Sequence, residues 1–80
     1  MELIKLSGLL PGESGVVSGL SKSALAPKLT EMGLMKGKKI RVLFQAPFNG
    51  PIAVDVEGYV LSLRTEEANI VAIEKAITAA

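Results

Sequence analysis

A period-two alternation runs from Lys39 to Arg64 and is broken by two turn signals. Nothing else in the chain limits the possible folds as strongly. Ile40, Val42 and Phe44 are set against Arg41, Leu43 and Gln45. Ile52, Val54 and Val56 then alternate with Ala53, Asp55 and Glu57, and Tyr59, Leu61 and Leu63 with Val60, Ser62 and Arg64. Each stretch reads as a strand with one buried face. Pro47 and Pro51 fence the first connection, Ala46 to Pro51. Glu57-Gly58 is a two-residue hairpin turn, with Gly58 supplying positive φ. Connections this short force antiparallel neighbours.

The first half carries the same grammar with one interruption. Leu3 to Leu6 reads as a short strand. Pro11-Gly12, flanked by Gly8, is turn chemistry. Ser14 to Leu20 reads as a second strand, where Gly15 and Gly19 predict a bulge or tight curvature. Leu25, Leu29 and Met32 then fall on one helical face. Ser21 or Ser23 is the expected cap, and Pro27 fits only the first turn. A regular helix is expected from Ala26 to Met32, after an irregular lead-in from Ala24, with Gly33 as its left-handed stop. Thr65 to Asn69 reads as one helical turn. Thr65 is its expected cap, Glu66 and Glu67 oppose the dipole, and Asn69 ends it with positive φ. Ile70 to Glu74 is the expected closing strand.

These elements sum to a mostly β fold. The expected form is a small antiparallel barrel with one short helix inserted after the second strand and a one-turn helix before the last. Residues 1–80 are read as a single domain, with 1–5 and 76–80 as weakly specified ends.

The chain holds neither cysteine nor histidine. Disulfides, thiolate metal sites and imidazole-assisted nucleophiles are therefore excluded. Adjacent Glu66 and Glu67 read as dipole compensation, and Asp55 and Glu57 as solvated positions on one strand face. Gly12-x-x-Gly15 and Gly33-x-x-x-Gly37 lack the Lys-Ser/Thr that completes a phosphate loop. No catalytic or cofactor site is expected. Lys36, Lys38, Lys39 and Arg41 form the densest charge cluster, yet net charge is only +1 and the aromatics are Phe44, Phe48 and Tyr59. A solvated face comes first for this cluster, an electropositive docking surface second and nucleic acid last. The start Met1-Glu2-Leu3-Ile4-Lys5 lacks the features of a signal peptide, and no apolar run is long enough to span a bilayer. A cytoplasmic location is expected.

The run LTEMGLMKGKKI, Leu29 to Ile40, places two bulky apolars between glycines. Leu34, at the left-handed exit, is expected to close back on the last helical turn. Met35, beside Lys36 and Lys38, is expected to point outward. Leu9, Leu10 and Phe48 are further apolars in turns, and several exposed together would form an interaction patch.

Two motifs now carry a resemblance. The first is Lys28-Leu29-x-x-Met32-Gly33-Leu34-x-x-Gly37, followed by the Pro47-x-x-Gly50-Pro51-Ile52 loop and Gly58. The second runs from Leu63-Arg64-x-x-Glu67-Ala68 to Ile70. Together they resemble the ferrous iron transport protein A (FeoA) family, over about Leu6 to Ile73. The family carries basic residues where this helix starts Ala26-Pro27. The resemblance implies an SH3-like barrel and a cytoplasmic accessory protein of bacterial ferrous iron uptake. It implies docking on the cytoplasmic portion of the membrane GTPase transporter, ferrous iron transport protein B. It implies no enzymatic activity and no firmly established cofactor or metal site; iron(II) binding is left open, with no ligands in the sequence to support it. Gly33, Leu34, Gly37, Gly58, Arg64 and Glu67 take structural roles in it, with Arg64 pairing with Glu67 or with loop carbonyls. The expected contact residues are Leu25, Met35 and Phe48, with Lys36 and Lys38 at the rim. The alternative is a stand-alone SH3-like domain of the metal-dependent repressor type, binding a peptide or nucleic acid.

Overall fold

The computed structural model describes residues 2–75. Strands β1 (Glu2–Lys5), β2 (Ser14–Leu20), β3 (Lys39–Gln45), β4 (Ile52–Val56), β5 (Tyr59–Leu63) and β6 (Val71–Lys75) form one sheet in the order β1-β6-β2-β3-β4-β5. Every pairing in it is antiparallel. Helix α1 (Ala26–Glu31) follows β2, and the one-turn α2 (Thr65–Ala68) precedes β6. This is the mostly β, antiparallel arrangement the alternation predicts, and it agrees with the SH3-like barrel the resemblance implies.

The sheet must curl, because its strands share one interior. Val17, Ile40, Val42, Ile52, Val54, Val56, Leu63, Val71 and Ile73 join a single buried cluster, which Leu6, Leu9, Leu29, Leu34 and Ala68 close from the connections. Each full burial of a Leu, Ile or Val contributes about 1.5–3 kcal/mol of transfer free energy. The connections therefore plug the barrel as its strands line it.

Several local expectations are corrected. Leu6 leaves the first strand and opens a 3₁₀ turn, Leu6–Gly8, where it is wholly buried. Residues 2–5 are no loose end, since β1 pairs with β6 from Glu2↔Lys75 to Lys5↔Ala72. The other expected loose end, residues 76–80, lies outside the described residues. Helix α1 stops at Glu31, with Met32 as its C-cap, and its N-cap is Leu25, not a serine. The Ser23 hydroxyl instead accepts the Leu25 N–H at 3.1 Å. At α2 the N-cap is Arg64 rather than Thr65, and Asn69 stays right-handed at φ −65°. Ile70 precedes β6, which starts at Val71.

The largest correction is Phe44. The β3–β4 register shifts between Val42↔Val54 and Phe44↔Ala53. That extra residue breaks the alternation, so Leu43 and Phe44 are both exposed although period two assigned them opposite faces.

Candidate functional site

Helix α1 ends in a Schellman motif. The Leu34 N–H donates to Leu29 O at 3.0 Å and the Gly33 N–H to Thr30 O at 3.0 Å. Gly33 takes φ +100°, and a Cβ there would collide with the Tyr59 hydroxyl. That hydroxyl donates to Met32 O at 3.4 Å, so β5 is fastened to the helix exit. Leu34 is wholly buried against Leu29, while Met35 remains 44% exposed.

The turn after Met35 leads into β3. The Gly37 N–H donates to Val17 O at 2.8 Å and the Lys38 N–H to Met35 O at 3.1 Å. Lys36 is exposed. Lys38 lies 3.6 Å from Glu57, which also accepts the Lys39 N–H at 3.0 Å. The Lys39 N–H, and secondarily the Lys38 ammonium, hold the Glu57 carboxyl below the usual carboxylate range. Glu57 and Gly58 both take positive φ, 47° and 110°, making the tight β4–β5 turn. Asp55 accepts the Gly58 N–H at 2.9 Å. Beside this turn a shallow cleft of about 450 Å³ is lined by Val16, Lys39, Arg41, Asp55 and Glu57, among others.

The second cluster lies at the far end of β3, roughly 20 Å away for a strand of this length. Phe48 and Asn49 both take left-handed φ, 59° and 58°. Three hydrogen bonds lock this turn: Gly50 N–H to Pro47 O at 3.2 Å, Ala46 N–H to Pro51 O at 2.9 Å, and the Thr65 hydroxyl to Asn49 O at 2.9 Å. Phe48 itself is 98% exposed.

The Thr65 bond links the turn to α2, and α2 is tied to α1. Glu67 accepts the Arg64 N–H on Oε1 at 2.8 Å and the Lys28 ammonium on Oε2 at 2.9 Å. Its side chain is 5% exposed, that of Lys28 62%. The Arg64 N–H first, and the Lys28 ammonium second, keep the Glu67 carboxyl below its ordinary range. Arg64 thus meets Glu67 through its main chain, and Lys28 makes the side-chain ion pair that was one of the two roles expected of Arg64. Leu25 is half-buried and begins the helix that Lys28 ties to α2.

The five expected contact residues are therefore split. Met35, Lys36 and Lys38 sit where the chain enters β3, while Phe48 sits where it leaves. Leu43 and Phe44, exposed on β3 toward the Phe48 end, were missed. The β-bulge that turns Phe44 outward leaves no local sequence signal. Among the described residues no three of His, Cys, Asp and Glu converge as metal ligands, and no helix is long and apolar enough to cross a membrane.

Comparison with known proteins matches these features. Comparison with curated proteins gives no match. The solution structure of a FeoA-like protein from Clostridium acetobutylicum is similar with a TM-score of 0.90 and 30% identity, covering 100% of this chain and 94% of that one. The zinc complex of Stenotrophomonas maltophilia FeoA, described as a prokaryotic SH3 domain protein, gives a TM-score of 0.77 and 30% identity, covering 89% of both chains. A manganese-dependent transcriptional repressor gives a TM-score of 0.84 at 20% identity, covering 92% of this chain and 42% of that one, a likeness of fold alone. The FeoA domain model matches residues 4–75. With this match over most of its length, the chain belongs to the FeoA family.

Proposed function

We propose that this protein is a cytoplasmic, non-enzymatic accessory factor of bacterial ferrous iron uptake. It docks on the cytoplasmic GTPase region of the membrane transporter, ferrous iron transport protein B. The match to the FeoA domain over residues 4–75 carries the reading. The S. maltophilia relative, proposed as an activating factor of bacterial ferrous iron transport, supports it. Surface chemistry agrees, because large apolars stand exposed at both ends of β3 while Asp55, Glu57 and Glu67 are engaged in structural hydrogen bonds. Leu43, Phe44 and Phe48, exposed together at one end of β3, are the usual mark of an interaction surface.

Iron is cargo in this reading. Without Cys or His, and with Asp55, Glu57 and Glu67 engaged with main-chain N–H groups, the donor set does not fit the zinc of the S. maltophilia complex. The repressor-type alternative draws on fold likeness and on Lys36, Lys38, Lys39 and Arg41. Lys38 already faces Glu57, which weakens the cluster as a phosphate tract.

The test is a pull-down of the transporter, as its soluble GTPase domain and as the full-length protein in detergent. Binding to either supports docking. No binding to both, with all partners folded, removes it, and steeply salt-dependent binding to duplex DNA would favour the alternative.

A further inference from the structure

We infer that Phe48 is a preformed aromatic anchor, and that it inserts into an uncharged apolar pocket on the protein partner. The inference rests on the transporter reading above and locates its contact at one end of the barrel.

Three observations converge. First, the fold makes almost no use of the Phe48 side chain, which is 98% exposed. Second, the backbone beneath it is costly for this residue type. A two-residue turn with both φ values positive suits Asn and Gly, whereas a bulky aromatic at φ 59° is strained. Such outliers persist where the surroundings over-determine them, and they cluster at ligand clamps. Third, the turn is held in that shape by Pro47, Pro51, two main-chain hydrogen bonds and the Thr65–Asn49 bond. An aromatic projected on a rigid turn loses little conformational freedom on docking, which is the usual property of a hot-spot anchor.

The partner's chemistry follows from what surrounds the anchor. No residue of the hairpin tip from Val42 to Val54 is charged, and Leu43 and Phe44 lie exposed on the strand that leads to the turn, while the exposed Arg64 and Glu66 flank Thr65, which bonds the turn. The pocket that receives Phe48 and covers Phe44 is apolar, so the anchor's contribution to binding survives added salt. A bilayer fits less well. A single side chain occupies the tip, Phe44 is set back along β3, and no Lys or Arg lies between Val42 and Val54 to hold anionic headgroups. A concave protein pocket can receive Phe48 while its wall covers Phe44.

The experiment uses the full chain against the full-length transporter in nanodiscs of phosphatidylcholine, with empty discs alongside. Wild type, Phe48→Asn and Phe48→Trp are compared, and each is melted. Asn accepts the left-handed turn, so Phe48→Asn should melt at or above the wild-type temperature. Its affinity for transporter discs should fall about thirtyfold or more, as for loss of a hot spot. Phe48→Trp should bind close to wild type. Unchanged affinity of Phe48→Asn overturns the anchor and leaves the transporter reading standing. A fall of several degrees in its melting temperature assigns Phe48 to the fold and also overturns it. Wild-type binding to empty discs, lost in Phe48→Asn, overturns the protein pocket in favour of lipid. Wild type that ignores the transporter overturns the transporter reading and the partner inferred here.

Discussion

Lys28 and Glu67, thirty-nine positions apart in sequence, meet at 2.9 Å and tie the inserted helix to the last helical turn. Their burial is unequal, which sets unequal consequences. The Lys28 side chain is mostly in water, so an exposed ammonium contributes little. Glu67 is enclosed and also accepts the Arg64 N–H, which starts α2. Urea unfolding should show Lys28→Met costing under about 1 kcal/mol. Glu67→Ala should cost about 1–3 kcal/mol, since it removes a helix-start hydrogen bond and leaves a part-buried donor unpaired. Equal losses for the two variants would contradict this assignment.

Acid should destabilise the protein through the same carboxylate. The folded Glu67 pKa is depressed by the Arg64 N–H and then by Lys28. A depressed carboxylate contributes stability that is fully present above its unfolded pKa, about 4.3, and is lost as pH falls through the folded value. Glu13 and Glu57 are depressed in the same direction, chiefly by the Lys75 side chain and the Lys39 N–H respectively. With no histidine in the chain, melting temperature should be nearly flat between about pH 6 and 8 and should fall below about pH 4.5. Glu67→Gln should make that acid limb shallower. An unchanged limb in Glu67→Gln would show that other carboxylates govern it.

Leu34 and Met35 should separate stability from surface. Leu34 is wholly buried at the Schellman exit, so Leu34→Ala should cost about 2–4 kcal/mol. Met35 is substantially exposed, so Met35→Asp should shift stability by no more than about 0.5 kcal/mol. Thermal melts that reverse this order would contradict the packing described for this turn.

Gly33 should resist substitution for two separable reasons. Its φ of +100° disfavours any L side chain, and a Cβ meets the Tyr59 hydroxyl. Gly33→Ala should cost about 1–3 kcal/mol. In the Tyr59→Phe background the cost should shrink but not vanish, because the backbone strain remains. A double-mutant cycle with no coupling would mean that Tyr59 moves aside freely.

The sequence shows the fold wherever structure is local. Alternation placed β4 and β5, Glu57-Gly58 placed their turn, and Gly33 placed the helix stop, each through a rule acting over a few residues. Long-range competition decided the rest. Glu67 takes its ion pair from the Lys28 side chain rather than that of Arg64, because the fold brings Lys28 of α1 to α2, and no spacing in the chain encodes that approach. Phe44 points outward because one extra residue in β3 resets the period. The candidate site was half legible for the same reason. Met35 and Phe48 both read as apolars in turns, but their separation by the length of β3 depends on the pairing that puts them at opposite strand ends.

The central claim is docking on the iron transporter through the Phe48-bearing end of the barrel. Its most direct test is equilibrium binding of the full chain to the full-length transporter in nanodiscs, at low and at high salt. Saturable binding that survives the salt increase, persists in Met35→Asp and drops sharply in Phe48→Asn is the predicted result. Absence of binding by the wild type, or binding that salt abolishes and Phe48→Asn leaves intact, would contradict it.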